Sequence, residues 1–122
     1  MSLHNTVDDQ ELLYRGVHDV FWDYNKNRPS SAIFKDSNGV SVDRCNGREE
    51  TDCVAFLRQN ISSNKIISIF AGAVRELQAY IKYAPIDGNH YHCEIYNSSD
   101  LEKIGTKKAR RLRDRIVNMY ID

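Results

Sequence analysis

The segment Lys65-Ile66-Ile67-Ser68-Ile69-Phe70 constrains this chain most. It is apolar and β-branched, too short for a buried helix, and reads as a central strand of a sheet. Shorter candidate strands surround it. Leu12 to Val17 reads as a first strand, and Tyr80 to Tyr83 as a later one. Ser31 to Lys35 and Val40 to Asp43 read as a hairpin around Asp36-Ser37-Asn38-Gly39, because Asn-Gly favours a tight hairpin turn. His90 to Tyr96 reads as a further strand, entered through the tight loop Pro85 to Asn89.

Helical segments fall between these strands. Thr51 is a candidate cap for a helix through Val54, Leu57 and Arg58, with Glu49, Glu50 and Asp52 near its positive end. Ala71 to Leu77 reads as a short helix. A last helix is expected to start near Thr106, as its N-cap, with Ala109, Leu112, Ile116 and Met119 or Tyr120 on one stripe. Val20-Phe21-Trp22 reads as a turn of helix or an aromatic plug on the core, and Asp23 to Pro29 as a loop. Strands scattered among short helices imply an α+β fold, with one mixed or antiparallel sheet and about three helices. Long βαβ repeats are absent, which argues against a doubly wound fold.

At 122 residues the chain is expected to form one domain over 11–122, with a polar, frayed segment at 1–10. The start, Met1 to Asn5, has neither the charged nor the apolar part of a secretory signal. No apolar run reaches the roughly 20 residues that cross a membrane. Cys45, Cys53 and Cys93 form no Cys-x-x-Cys pair and read as reduced thiols of a cytoplasmic protein. Charge balances, with 17 basic and 17 acidic side chains, so net charge points to no polyanionic partner. The exception is local: Lys107, Lys108, Arg110, Arg111, Arg113 and Arg115 crowd one segment beside a single acid, Asp114.

Candidate functional residues lie at strand ends and loops. On a strand, His90, His92 and Glu94 would share one face, with Tyr91, Cys93 and Ile95 on the other. Two imidazoles and a carboxylate suit a metal ion, although no second ligand cluster accompanies them. His92 alone suits acid/base chemistry near neutral pH. Arg28-Pro29-Ser30-Ser31 combines a guanidinium, two hydroxyls and a rigid turn, which suits an oxyanion. Ser41 and Asp43 would share a strand face, and the sharpest reading joins them with Arg28 and His92 in one cleft. Arg15 beside Gly16, and Arg44, are further cations able to stabilise developing charge.

The chain also resembles a group of uncharacterised small bacterial proteins. The resemblance rests on Leu13-Tyr14-Arg15, on Arg28-Pro29-Ser30-Ser31-Ala32-Ile33-Phe34-Lys35-Asp36, and on Pro85-x-Asp87-x-Asn89-x-x-His92. It covers most of the chain and favours His92 over Glu94 as the shared residue, but it implies no activity. A looser analogy to ADP-ribosyltransferase-like domains rests only on the order Arg15, Ser41, Glu94.

The first expectation is therefore a small cytoplasmic domain that binds or acts on a phosphate-bearing molecule, a nucleotide or nucleic acid. In it His92, Arg28 and Arg15 do chemistry, and Ser30, Ser31, Ser41 and Arg44 hold the ligand. It needs no cofactor. The alternative is a non-enzymatic protein-interaction or immunity-type accessory module, with seven Tyr and one Trp as possible anchors. The residues alone do not decide between catalysis and binding.

Overall fold

A computed structural model describes residues 6–62 and 64–121. Its strands are β1 (Leu12–Val17), β2 (Trp22–Asp23), β3 (Arg28–Pro29), β4 (Val40–Arg44), β5 (Lys65–Phe70), β6 (Tyr80–Tyr83), β7 (His92–Tyr96) and β8 (Asn118–Ile121). The helices are α1 (Glu50–Arg58), α2 (Ala71–Glu76) and α3 (Thr106–Arg113). Six strands form one antiparallel sheet in the order β6-β7-β4-β1-β5-β8, and β2 and β3 pair separately. The domain is thus α+β.

Strand alternation divides the sheet's residues between two faces. Leu13, Val17, Val40, Val42, Ile67, Ile69, Cys93 and Ile95 belong to the main core, under Phe34, Val74, Ala109 and Leu112. On the opposite face, Tyr14 and Ile66 pack with Cys53 and Leu57 of α1 in a smaller cluster. Beyond that cluster, β4 and β7 present Ser41, Asp43, His92 and Glu94 on this second face. One face of an antiparallel sheet is often left polar in this way.

Several sequence expectations are corrected. Ser31–Phe34 is a 3₁₀ helix rather than a strand. The Ser30 hydroxyl caps it by accepting from the Ala32 amide at 3.1 Å. Ile33 and Phe34 are both buried, although they are consecutive, which strand alternation on a half-buried sheet does not allow. The Asn38-Gly39 turn therefore joins a helix to β4. Gly39 sits at φ +93°, and a Cβ there would lie 2.7 Å from the Tyr96 ring, so glycine is required on both counts. Helix α1 starts at Glu50, with Glu49 rather than Thr51 as its cap. Helix α3 has Gly105 rather than Thr106 as its cap and stops at Arg113, and Met119 and Tyr120 belong to β8.

Residues 6–10, expected to fray, pack against the domain; residues 1–5 of that segment lie outside the described residues. Val7 is buried, Asp9 pairs with Arg75 at 2.6 Å, and the Gly72 amide donates to the Asp9 carbonyl at 2.8 Å. The anchor is Arg44, whose side chain is 1% exposed. Its Nε and Nη2 donate to the two Glu11 oxygens at 3.0 and 2.8 Å, and Nη2 also donates to the Thr6 carbonyl at 3.0 Å. The guanidinium stacks 5.1 Å above the Tyr83 ring. A buried charge is tolerated when it is paired and hydrogen-bonded in this manner.

Burial alone would raise the Glu11 carboxyl. Hydrogen bonds from Arg44 and from the Asp8 and Asn46 amides outweigh it and hold the group below its ordinary value. A carboxyl held low in the folded state adds stability above its unfolded pKa of about 4.3, and that stability is lost as pH falls through the folded value. Glu11→Gln is expected to cost about 3 kcal/mol at pH 7, because it strands the Arg44 charge. It should also flatten the loss of stability in acid. Urea titrations at pH 7 and pH 3 check both effects; an unchanged midpoint at pH 7 would contradict them.

Candidate functional site

Strand β1 pairs with β5 over its whole length, from Leu12↔Phe70 to Val17↔Lys65. With β4 it registers only at Leu13↔Arg44 and Tyr14↔Asp43. Past that point the two strands part. Arg15 crosses the opening, and its Nη1 donates to the Ser41 carbonyl at 2.7 Å. The opening forms part of a cleft of about 450 Å³, lined by Arg15, Ser41, Asp43, Asn89 and His92 among others. Gly16 and Ile61 also line it. A Cβ on Gly16 would meet Ile61 Cδ1 at 2.5 Å, so glycine permits that close approach.

Arg15 is half-buried, and burial lowers its pKa from the ordinary arginine value while the charge of Asp36 opposes that shift. It remains a cation at any physiological pH. Its Nε is buried without a hydrogen-bond partner, and among the described residues no carboxylate lies within ion-pair distance of it.

Asp43 is 2% exposed. Its Oδ1 accepts from Asn89 Nδ2 at 2.8 Å, whereas its Oδ2 is buried with no partner. Asn89 is held by its own Oδ1, which accepts from the Tyr91 amide at 2.9 Å. Burial raises the Asp43 carboxyl above its ordinary value, against the Asn89 hydrogen bond and the nearby charges of Arg48 and His92. An orphaned buried oxygen of this kind costs about 1–3 kcal/mol.

His92 is the cross-strand partner of Asp43. Its Nδ1 lies 2.8 Å from the Ala84 carbonyl. A carbonyl only accepts, so Nδ1 carries the hydrogen and the neutral ring keeps its lone pair on Nε2. The cleft thus combines a guanidinium, a buried carboxylate and an imidazole. The guanidinium can bind an anion, and the imidazole can move a proton.

Of the residues expected in a site, the structure brings Arg15, Ser41, Asp43 and His92 together. Arg28 lies elsewhere, in a groove with Arg113, Asp114, Ile116 and Met119. Ser30 is occupied as a helix cap, and Ser31 lies within that 3₁₀ helix, outside the cleft. Arg44 is a buried structural cation paired with Glu11. Strand β7 begins at His92, so His90 sits in the preceding turn and does not share a strand face with His92 and Glu94. Among the described residues, no three His, Cys, Asp or Glu side chains are grouped to hold a metal ion. Glu94 registers with Ser41 and accepts from the Tyr96 hydroxyl at 2.7 Å.

Sequence reasoning misses the cleft roles of Asn89, Asp36 and His18. Only Asn89 had a signal, its place in the Asp87-x-Asn89-x-x-His92 spacing. The basic helix is partly structural: Lys108 Nζ donates to the Gln78 and Asn97 carbonyls at 3.0 and 3.2 Å, and Arg115 pairs with Glu76 at 2.9 Å. Burial pushes the Cys53 and Cys93 thiols up to about 12, which keeps them protonated and poorly nucleophilic. Comparison with protein-family models, curated protein sequences and solved structures finds no match.

A carboxyl raised in the folded state makes its ionised form costly above the folded pKa. Asp43→Asn removes that charge. It is expected to raise stability at neutral pH by about 1 kcal/mol and to shrink the gain seen on mild acidification. Thermal melts at pH 5 and pH 8 check this; a lower melting temperature at pH 8 would contradict it.

Proposed function

We propose that the cleft between β1 and β4 binds a small phosphate-bearing molecule, and that His92 serves it as acid or base. Arg15 carries the reading. A half-buried guanidinium with an unpartnered Nε, and no ion pair among the described residues, is an incomplete anion site. The cleft volume of about 450 Å³ falls within the usual small-molecule range and favours a nucleotide-sized ligand over a nucleic-acid strand. The lone pair on His92 Nε2 supports acid/base chemistry. The free cysteines Cys45, Cys53 and Cys93 suit a reducing, cytoplasmic setting. No helix among the described residues is long and apolar enough to cross a membrane.

A melting-temperature panel of AMP, ATP, NAD and short RNA tests the reading. A ligand at a hundred times its Kd adds about 2.7 kcal/mol of stability. The shift is expected for a mononucleotide, lost in Arg15→Ala and kept in Arg28→Ala, with circular dichroism confirming that both variants fold. No shift from any phosphate ligand, or a full shift in Arg15→Ala, would overturn it.

A second reading, a protein-interaction module, draws support from the outer strand β8. Met119 and Ile121 are 43% and 51% exposed, beside exposed Val117 and Phe70. An apolar strand at a sheet edge is a template for pairing with another chain. Sedimentation equilibrium is expected to show self-association that Met119→Lys abolishes; a monomer at every concentration would count against pairing of this chain with itself.

A further inference from the structure

The unpartnered oxygen of Asp43 narrows the class of ligand. Asp43 is 2% exposed and lines the cleft, yet its Oδ2 has no hydrogen-bond partner. Asn89, Arg48 and His92 beside it are held by hydrogen bonds of their own, and none of them reaches Oδ2. The Asn89 amide spans Asp43 Oδ1 and the Tyr91 N–H. Arg48 donates from Nε to the Cys45 carbonyl and from Nη2 to the Arg44 carbonyl, with its guanidinium 3.4 Å above the Tyr91 ring. His92 uses its Nδ1 hydrogen on Ala84, so its neutral ring offers the cleft an acceptor and no donor. Asp43 and His92, cross-strand partners, therefore line one wall of the cleft, with Asp43 Oδ2 open and the His92 ring holding its Nδ1 hydrogen on Ala84. The open oxygen calls for a group able to hydrogen-bond a carboxyl.

We infer that the ligand carries a hydroxyl that bonds Asp43 Oδ2 while its phosphate meets Arg15, which makes it a sugar phosphate, either free or as the ribose phosphate of a nucleotide. This deepens the phosphate-binding reading and rests on it. Burial biases Asp43 toward its protonated form. A hydroxyl both donates and accepts, so it satisfies the carboxyl in either protonation state, whereas an ammonium satisfies only the ionised one. Spacing agrees. Arg15 is tied to Ser41, two residues from Asp43 on β4, which is about 7 Å along a strand. A five-carbon sugar phosphate spans that gap.

Isothermal titration with D-ribose 5-phosphate and with ethyl phosphate, a monoester without hydroxyls, separates the two parts of the site. The wild-type chain is expected to bind ribose 5-phosphate about tenfold more tightly, the worth of one hydrogen bond to a charged group. Asp43→Asn should erase the preference while ethyl phosphate still binds. Because the wild-type comparison needs no variant, it stands even if Asp43→Asn fails to fold. Equal affinity of the wild-type chain for both compounds would overturn this inference and leave the phosphate reading standing. A preference that survives in Asp43→Asn would overturn the assignment to Asp43. Failure of both compounds to bind would overturn the two readings together.

Discussion

The seam between β1 and β4 is the constraint on which the rest of the structure depends. It is locked at one end by the buried Arg44–Glu11 pair, which also ties down residues 6–10 through the Thr6 carbonyl. Immediately beyond the lock the ladder stops, after Tyr14↔Asp43. A sheet that abandons pairing between two interior strands leaves backbone groups to be satisfied by other means. Arg15 does part of this by donating to the Ser41 carbonyl. The same guanidinium then lines the cleft that the parting creates, so a repair of the backbone doubles as a candidate anion contact.

Stability and function pull apart in this cleft. The main core on the other face is apolar and closed. The cleft side keeps a buried carboxylate with a free oxygen and an arginine with an unpartnered Nε. Each unpartnered buried atom costs stability. Strained or unsatisfied polar groups held by an otherwise well-paired scaffold are a mark of sites that await a ligand. The supports around them are firm. Asn89 is pinned by the Tyr91 amide, His92 by the Ala84 carbonyl, and Arg48 by two carbonyls and an aromatic ring.

Much of the fold was legible because its signals are local. The β-branched run at Lys65–Phe70, the first strand at Leu12–Val17 and the short helix after Phe70 all stand where hydrophobic pattern puts them. Two errors share one cause. Ser31 to Lys35 contains enough apolar residues to pass for a strand, and Ile116 to Tyr120 continues the period of α3. In both, capping and chain direction overrode pattern: Ser30 starts a 3₁₀ helix, and the chain leaves α3 after Arg113 to pair with β5. The site was legible only in pieces. Alternation places Ser41 with Asp43, and His92 away from Cys93. It does not say that β4 lies beside β7, nor that β1 parts from β4. Arg28 and Arg44 looked as suitable as Arg15, since a guanidinium's role depends on what stands opposite it. Glu11 and the Tyr83 ring claim Arg44, and Arg28 faces the end of α3.

The most direct measurement is a ¹H–¹⁵N NMR titration with ethyl phosphate, following the Arg15 Nε–H signal and the His92 ring nitrogens. Saturable shifts at Arg15 and His92, with Lys107, Arg110 and Arg111 unmoved, are the expected result. Shifts confined to α3, or none at Arg15, would contradict the cleft between β1 and β4 as the anion site.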